Sequence, residues 1–193
     1  MARIGAELRR QDFIEATVKV IAEHGVANAT TRRIAAAANS PLASLHYVFH
    51  TKDELFYAVY ESLFNLPQQA LEQVPVGTSA AESTAEMLRQ LVKWFSAHPE
   101  VATTQSELFF WTLRNNPEMA NKIYAMAGEA TERSIERITG SQLDQATLPA
   151  ISRLLINLFD GLLLAWSGHG DLKRLEEETE TACRAMKLLV ASY

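Results

Sequence analysis

The sequence predicts an all-α protein of about nine helices. Three observations carry that expectation: apolar residues recur at helical spacing almost from end to end, Gly and Pro fall between the periodic blocks, and no run alternates as a strand does. With 193 residues, 48% of them hydrophobic and 21% charged, the chain can bury a substantial core. Its one cysteine, Cys183, can form no internal disulfide or thiolate cluster, which fits a reducing compartment and therefore the cytoplasm. No uninterrupted run of about 20 apolar residues occurs. Glu7 and Asp12 stand where a leader would carry an apolar stretch, so a soluble protein without a membrane partner is expected.

Each helix has its own local reason. From about Glu7 to His24, Phe13, Ile14, Thr17, Val18, Val20 and Ile21 form one broad stripe, and Gly25 is placed to end the helix in a left-handed cap. A short helix from Thr31 to Ala38 follows Thr30 as N-cap. Asn39 and Ser40 form a turn, Pro41 suits a first helical position, and Leu42 to Val48 make a third helix. Thr51 can cap a long fourth helix whose first turn holds Asp53 and Glu54, acidic groups that oppose the positive helix end; Pro67 kinks or ends it. After a loosely structured stretch at 74–79, Ser79 and Glu82 match a capping box that opens a helix to about Ala97. The His98-Pro99 step breaks the pattern. The last four helices read as Glu100 to Arg114, Pro117 to Thr139 behind Asn116 as N-cap, Leu143 to Trp166, and Asp171 to Ala191. The functional division is expected near residue 50, with a DNA-binding part at 1–50 and a helical body at 51–193.

Charge is spread unevenly. The net charge of -5 is unpromising for a nucleic-acid binder, but residues 1–60 hold seven Lys and Arg against six Asp and Glu, and the remainder holds eleven against seventeen. The acidic load is in the body, which permits a local basic surface on the head.

A helix-turn-helix needs one helix braced on the DNA backbone and a second, after a tight turn, entering the major groove. The stretch from Ala29 to Leu55 meets both needs: Ile34 and Leu45 can meet between the helices, and Ala35, Ala37 and Ala38 are small enough for close approach. Thr30 or Thr31, Ile34-Ala35, Leu45-His46-Tyr47-Val48-Phe49 and Lys52 follow in the order of a known pattern. Over about residues 10–60 the chain resembles the TetR/AcrR family. Asn39-Ser40 stands where that family usually has Gly-Val, and Asn tolerates the left-handed backbone that Gly would supply. His46 replaces the usual Tyr and can still donate to a phosphate, with shorter reach and a pH-dependent charge.

The resemblance implies that Thr31, Tyr47 and Lys52 hold phosphates, with His46 beside them, while Arg32, Leu42, Ala43 and Ser44 face the groove. The chemistry agrees: hydroxyls and an ammonium suit phosphate, Arg32 can read a guanine bidentately, and Leu42 or Ala43 can touch a thymine methyl. With so few polar groups on the recognition helix, DNA shape should share the discrimination. Arg3, Arg9 and Arg10 form either a minor-groove arm or a polar helix start.

In the body, Met87, Trp94, Phe95, Phe109, Phe110, Trp111, Met119, Tyr124, Met126 and Phe159 supply more large, adaptable apolar groups than a minimal bundle requires. They either fill a core or line a cavity. The resemblance favours a pocket for a small apolar or aromatic effector, with Trp94, Phe109, Trp111, Met126, Asn157 and Phe159 as its contacts. Arg153, Asn157 and Asp160 share a helical face, and Gly161 in mid-helix suggests close packing by another helix. The family builds its homodimer from the last two helices, which makes Leu155, Leu158, Leu162, Met186, Leu189 and Val190 candidates there. Such a dimer suits a palindromic operator with half-sites roughly 34 Å apart. The helix opening at Lys52 is the expected lever of release, through Leu63, Phe64 and Leu66.

No phosphate loop, nucleophile elbow or zinc-protease motif supports a catalytic reading, and no cofactor is implied. His46 and His50 are spaced as metal ligands can be but have no obvious partners, so no metal site is expected. The chain is therefore read as a DNA-binding transcriptional regulator, a repressor released by a small ligand. The alternative is a helical ligand-binding or enzymatic protein with an unused head.

Overall fold

The computed structural model describes residues 2–65, 67, 71 and 79–193, with the side chains of residues 2–6 and 141 outside the description. Among these residues the chain forms nine α-helices, two short 3-10 turns and no strand. The helices are α1 (Ala2–His24), α2 (Thr31–Ala37), α3 (Leu42–Val48), α4 (Lys52–Asn65), α5 (Ala80–Ala97), α6 (Pro99–Asn115), α7 (Pro117–Thr139), α8 (Leu148–His169) and α9 (Leu172–Val190). The all-α expectation holds. The chain divides into two compact units: Met1–Leu66 with Pro99–Ile123, and Pro67–His98 with Tyr124–Tyr193. This is a partition by packing, distinct from the functional division expected near residue 50.

In the first unit α1 packs on α2, α3, α4 and α6, burying Phe13, Ile14, Thr17, Val20 and Ile21 as its stripe requires. Ile34, Leu45, Phe49, Leu55, Phe56, Val59 and Leu63 complete that core. Caps fall where side-chain chemistry puts them. Thr30 Oγ1 accepts from Arg33 N, and Thr51 Oγ1 accepts from Glu54 N at 3.0 Å while Glu54 returns the favour by accepting from His50 N at 2.8 Å. Asn116 Oδ1 accepts from Met119 N at 3.0 Å, capping α7.

Gly25 departs from the expected left-handed cap. Its φ is positive, at 76°, but ψ is 156°, an extended conformation that is essentially glycine's alone. Glu107 on α6 explains why the chain turns here, because its Oε2 accepts the Val26 N–H at 2.8 Å across 81 residues of sequence. A Cβ on Gly25 would also sit 3.4 Å from that oxygen. Gly25→Ala is accordingly expected to destabilise the protein by roughly 1–3 kcal/mol, read as a lowered denaturation midpoint with an unchanged slope.

In the second unit α9 packs along α5, and both pack on α8. Arg89 on α5 bonds Glu180 on α9 through Nε and Nη2 and also pairs with Glu86, which holds the Glu180 carboxyl below its ordinary range. Lys187 reaches Glu82 at 2.7 Å, and the buried Cys183 thiol points at Ala85 O at 3.3 Å, with burial pushing its pKa up. Ser79 caps α5 as the sequence suggests, and Asp171, read as the first helical residue, instead caps α9.

α8 begins at Leu148 and not at Leu143. The Asp144 carboxylate accepts from Ala146 N and its carbonyl from Thr147 N, a side-chain-closed turn that occupies the residues a longer helix would need. By length and composition α8 is apolar enough to cross a bilayer, with a mean hydropathy of 1.5. Its Ile151, Leu155, Ile156, Phe159, Leu162 and Leu163 are nonetheless buried in the second unit, which accounts for that hydrophobicity without a membrane. Gly161 departs from expectation too: a Cβ there would meet nothing within 4 Å. Among the described residues no helix packs against it.

Candidate nucleic-acid interface

The α2–α3 corner is made by one left-handed residue. Asn39 has φ 49°, the only positive φ outside glycine among the described residues, and the amides of Ala38 and Ser40 return to Ile34 O and Ala35 O, both at 2.9 Å. Ile34, Ala35 and Leu45 are buried at the corner, while Ala37 is exposed and Ala38 half-buried, so Ala35 alone of the three alanines is a packing residue. Pro41 stands one place before α3, as its N-cap, with ψ 143°, instead of in its first turn.

Anchored by Leu45, α3 turns Ala43, His46 and Tyr47 to solvent, a stripe at helical spacing. Leu42 and Ser44 are half-buried at its edges. Tyr47 is 79% exposed, which removes it from the core, whereas Phe49 two residues later is 1% exposed. On α2, Arg32 is exposed and Thr31 half-buried, and Arg33 donates from Nη1 to Asn28 O at 3.1 Å. Arg10 lies in α1 with its guanidinium carbon 5.5 Å from the centre of the Phe49 ring. Of the two readings for the N-terminal arginines, Arg10 therefore takes the helical one; Arg9 is exposed on the same helix, and the Arg3 side chain is outside the described residues.

Lys52 opens α4 with its Nζ 4.7 Å from the centre of the Phe56 ring and 5.5 Å from that of Trp111. Burial lowers its pKa, and Asp53 acts in the opposite sense. Asp53 accepts from Asn116 Nδ2 at 2.8 Å. What this surface offers is a row of hydroxyl, imidazole, guanidinium and ammonium groups around a short helix with a largely apolar tip. That is the equipment for backbone positioning with sparse base readout.

Residues 13–59 match the family described as "Bacterial regulatory proteins, tetR family", a span that includes α2, α3 and most of α4. The nicotine-responsive transcriptional repressor HdnoR of Paenarthrobacter nicotinovorans is 27% identical over 170 residues, covering 85% of this chain and 86% of that one. The chain is thus similar to TetR/AcrR-family transcriptional regulators, with the family match carried by residues 13–59. Its structure agrees: the multidrug binding protein EbrR, solved with imidazole, superposes with a TM-score of 0.71 at 25% identity, covering 91% of this chain and 93% of that one. A TetR-family protein from Streptomyces coelicolor A3 superposes with a TM-score of 0.73 at 24% identity, covering 91% and 96%. Together the family match and the related repressors support a DNA-binding regulator.

The TetR-family fold brings Thr31, Arg32, Leu42, Ala43, Ser44, His46, Tyr47 and Lys52 into one unit with α4 and α6. It does not bring the six expected effector contacts into one: Phe109 and Trp111 belong to the first unit, and Trp94, Met126, Asn157 and Phe159 to the second. Trp111 meets Phe56 edge-on at 5.1 Å, and Phe109 lies 6.5 Å from Tyr60. In the second unit Phe95 is the hub, with Trp94 and Phe159 both 5.0 Å from its ring. Asn157 accepts the Tyr124 hydroxyl at 2.9 Å, and Met126 is half-buried. Asp160 is exposed as a residue, yet desolvation of its carboxyl pushes its pKa up to about 6.

For the lever, Leu63 is buried and Phe64 stacks on Tyr60, both in the first unit, and Leu66 lies outside the described residues. Among the described residues no group of three or more His, Cys, Asp or Glu side chains is placed to hold a metal. Sequence reasoning missed the contacts of Glu107, Trp111 and Asn116 with the head. Asn116 showed itself only as an N-cap, and nothing local marks Glu107 or Trp111 as partners of residues far behind them.

Proposed function

We propose that this regulator is a cytoplasmic, homodimeric repressor that binds a palindromic duplex through α2, α3 and the start of α4, and leaves it when a small apolar or aromatic molecule binds. The observation that carries the reading is the outward stripe of Ala43, His46 and Tyr47 on α3, flanked by Thr31, Arg32 and Lys52. Thr31, His46, Tyr47 and Lys52 take phosphates; Arg32, Leu42, Ala43 and Ser44 face bases. The names of its relatives, one a nicotine-responsive repressor and one a multidrug binding protein, support a small-molecule effector and a regulator instead of an enzyme. Of the six expected effector contacts, Trp94, Met126, Asn157 and Phe159, which share the second unit, remain the proposed ones. Release requires the effector to discriminate between two states of the protein, by about 5.5 kcal/mol for a shift from 1:99 to 99:1.

Duplexes selected from a random pool, then titrated with salt, test the DNA reading. Lys52→Ala is expected to weaken binding to every duplex and lower the salt slope by about 1, and Tyr47→Phe to weaken all duplexes without altering sequence preference. Arg32→Ala should relax preference at one position and cost about 1–3 kcal/mol there. A pool that returns no preferred sequence would remove the operator from this account. For the effector, quenching of Trp94 fluorescence by aromatic candidates, measured with and without the selected duplex, links or separates ligand binding and release.

A further inference from the structure

We infer that Trp111, outside the helix-turn-helix and on a different helix from Lys52, is a positioning residue for DNA binding: with Phe56 it forms an aromatic seat that holds the Lys52 ammonium ready for a phosphate. The inference rests on the assignment of Lys52 to phosphate above, and it gives Trp111 a role in the head. The geometry supplies the reason. Lys52 Nζ is within 6 Å of both ring centres, at 4.7 and 5.5 Å, the range in which a ring face attracts a cation. The two rings fix each other, meeting edge-on at 5.1 Å and 83°.

A second tie holds the seat in register. Asp53, the neighbour of Lys52, accepts from Asn116 Nδ2 at 2.8 Å, and the same Asn116 side chain caps α7 through Met119 N. The first turn of α4 is therefore joined to α6 by Trp111 and to the start of α7 by Asn116. Lys52 is half-buried, so part of the residue stays open to solvent while its ammonium lies by the two rings. A lysine on an exposed helix end loses rotamer freedom when it binds a phosphate; one already seated loses less, and the saved entropy appears as affinity.

The test is a double-mutant cycle on the full-length protein, using a mixed-sequence duplex titrated with salt, because a phosphate contact acts on any sequence. Trp111→Leu is expected to weaken binding by roughly five- to tenfold in the chain that keeps Lys52, and to change nothing in the Lys52→Ala chain. Trp111→Phe, which restores a ring face, should recover most of the loss, and it serves as the folded reference if the leucine variant melts early. Equal weakening by Trp111→Leu in both backgrounds would mean that the head is merely loosened and would overturn the seat. So would an unchanged affinity of the Trp111→Leu protein. A normal Lys52→Ala effect without coupling removes the seat alone, whereas an inert Lys52→Ala removes the phosphate assignment and the seat with it.

Discussion

Phe49→Ala is expected to cost about 3–5 kcal/mol of stability and to abolish DNA binding with it. Phe49 closes α3, is 1% exposed, and carries the Arg10 guanidinium over its ring. Truncation would leave a cavity under the recognition helix and strip the cation of its partner. Only the first unit holds these contacts, so its melting should separate from that of the second, and two transitions instead of one would appear by circular dichroism. Tyr47→Phe is the matched control: Tyr47 is on the same helix but 79% exposed, so its loss should change affinity and leave the melting curve alone. A Phe49→Ala protein with a wild-type melt would show that α3 is held by something other than this ring.

The second large effect concerns the dimer. The residues expected at the interface divide sharply by burial: Leu155, Leu162, Met186 and Val190 are core residues of the second unit, while Leu158 is half-buried and Leu189 38% exposed. The apolar side chains most exposed on the last two helices are Leu188 at 77%, Leu164 at 56% and Leu172 at 53%, and Gly161 and Ala165 on α8 leave room for a partner helix to approach. If a second copy covers the exposed sides of these two helices, Leu164→Glu with Leu188→Glu places carboxylates in the interface at roughly 3 kcal/mol each. An isologous interface doubles every substitution, and each 1.4 kcal/mol is tenfold in dissociation. Sedimentation should then report monomers, and affinity for a palindrome should fall to that of a single half-site. Since both side chains are solvent-exposed within one chain, the monomer's own melt should be nearly unchanged. A double variant that still sediments as a dimer would place the interface elsewhere.

The helices and their ends were legible in the sequence wherever the determinant is local. Thr30, Ser79 and Asn116 cap the helices they precede, because a short polar side chain reaches the free amides of the next turn whatever lies beyond. Asn39 adopts the left-handed corner for an equally local reason. Where a neighbour competes, local reading failed: Asp144 closed a turn that shortened α8, and Glu107 drew the Val26 amide and bent Gly25 out of the left-handed cap.

The candidate site shows the same division. The order of Thr31, Arg32, the α3 stripe and Lys52 is written in one contiguous segment, so the family resemblance carried by that segment was enough to name them. That Tyr47 is outside and Phe49 inside, that Arg10 lies against Phe49, and that Lys52 sits on Trp111 were decided only by packing. A side chain's partner across 60 or 80 residues depends on how helices cross, and helical periodicity tells which face is apolar without telling what covers it. The sequence by itself thus determined the helices, most of their caps and the position of the helix-turn-helix segment proposed to read DNA. The tertiary structure alone decided which charges are seated on aromatic rings, which leucines are core and which are left facing outward, because those outcomes belong to pairs of distant surfaces and not to any one of them.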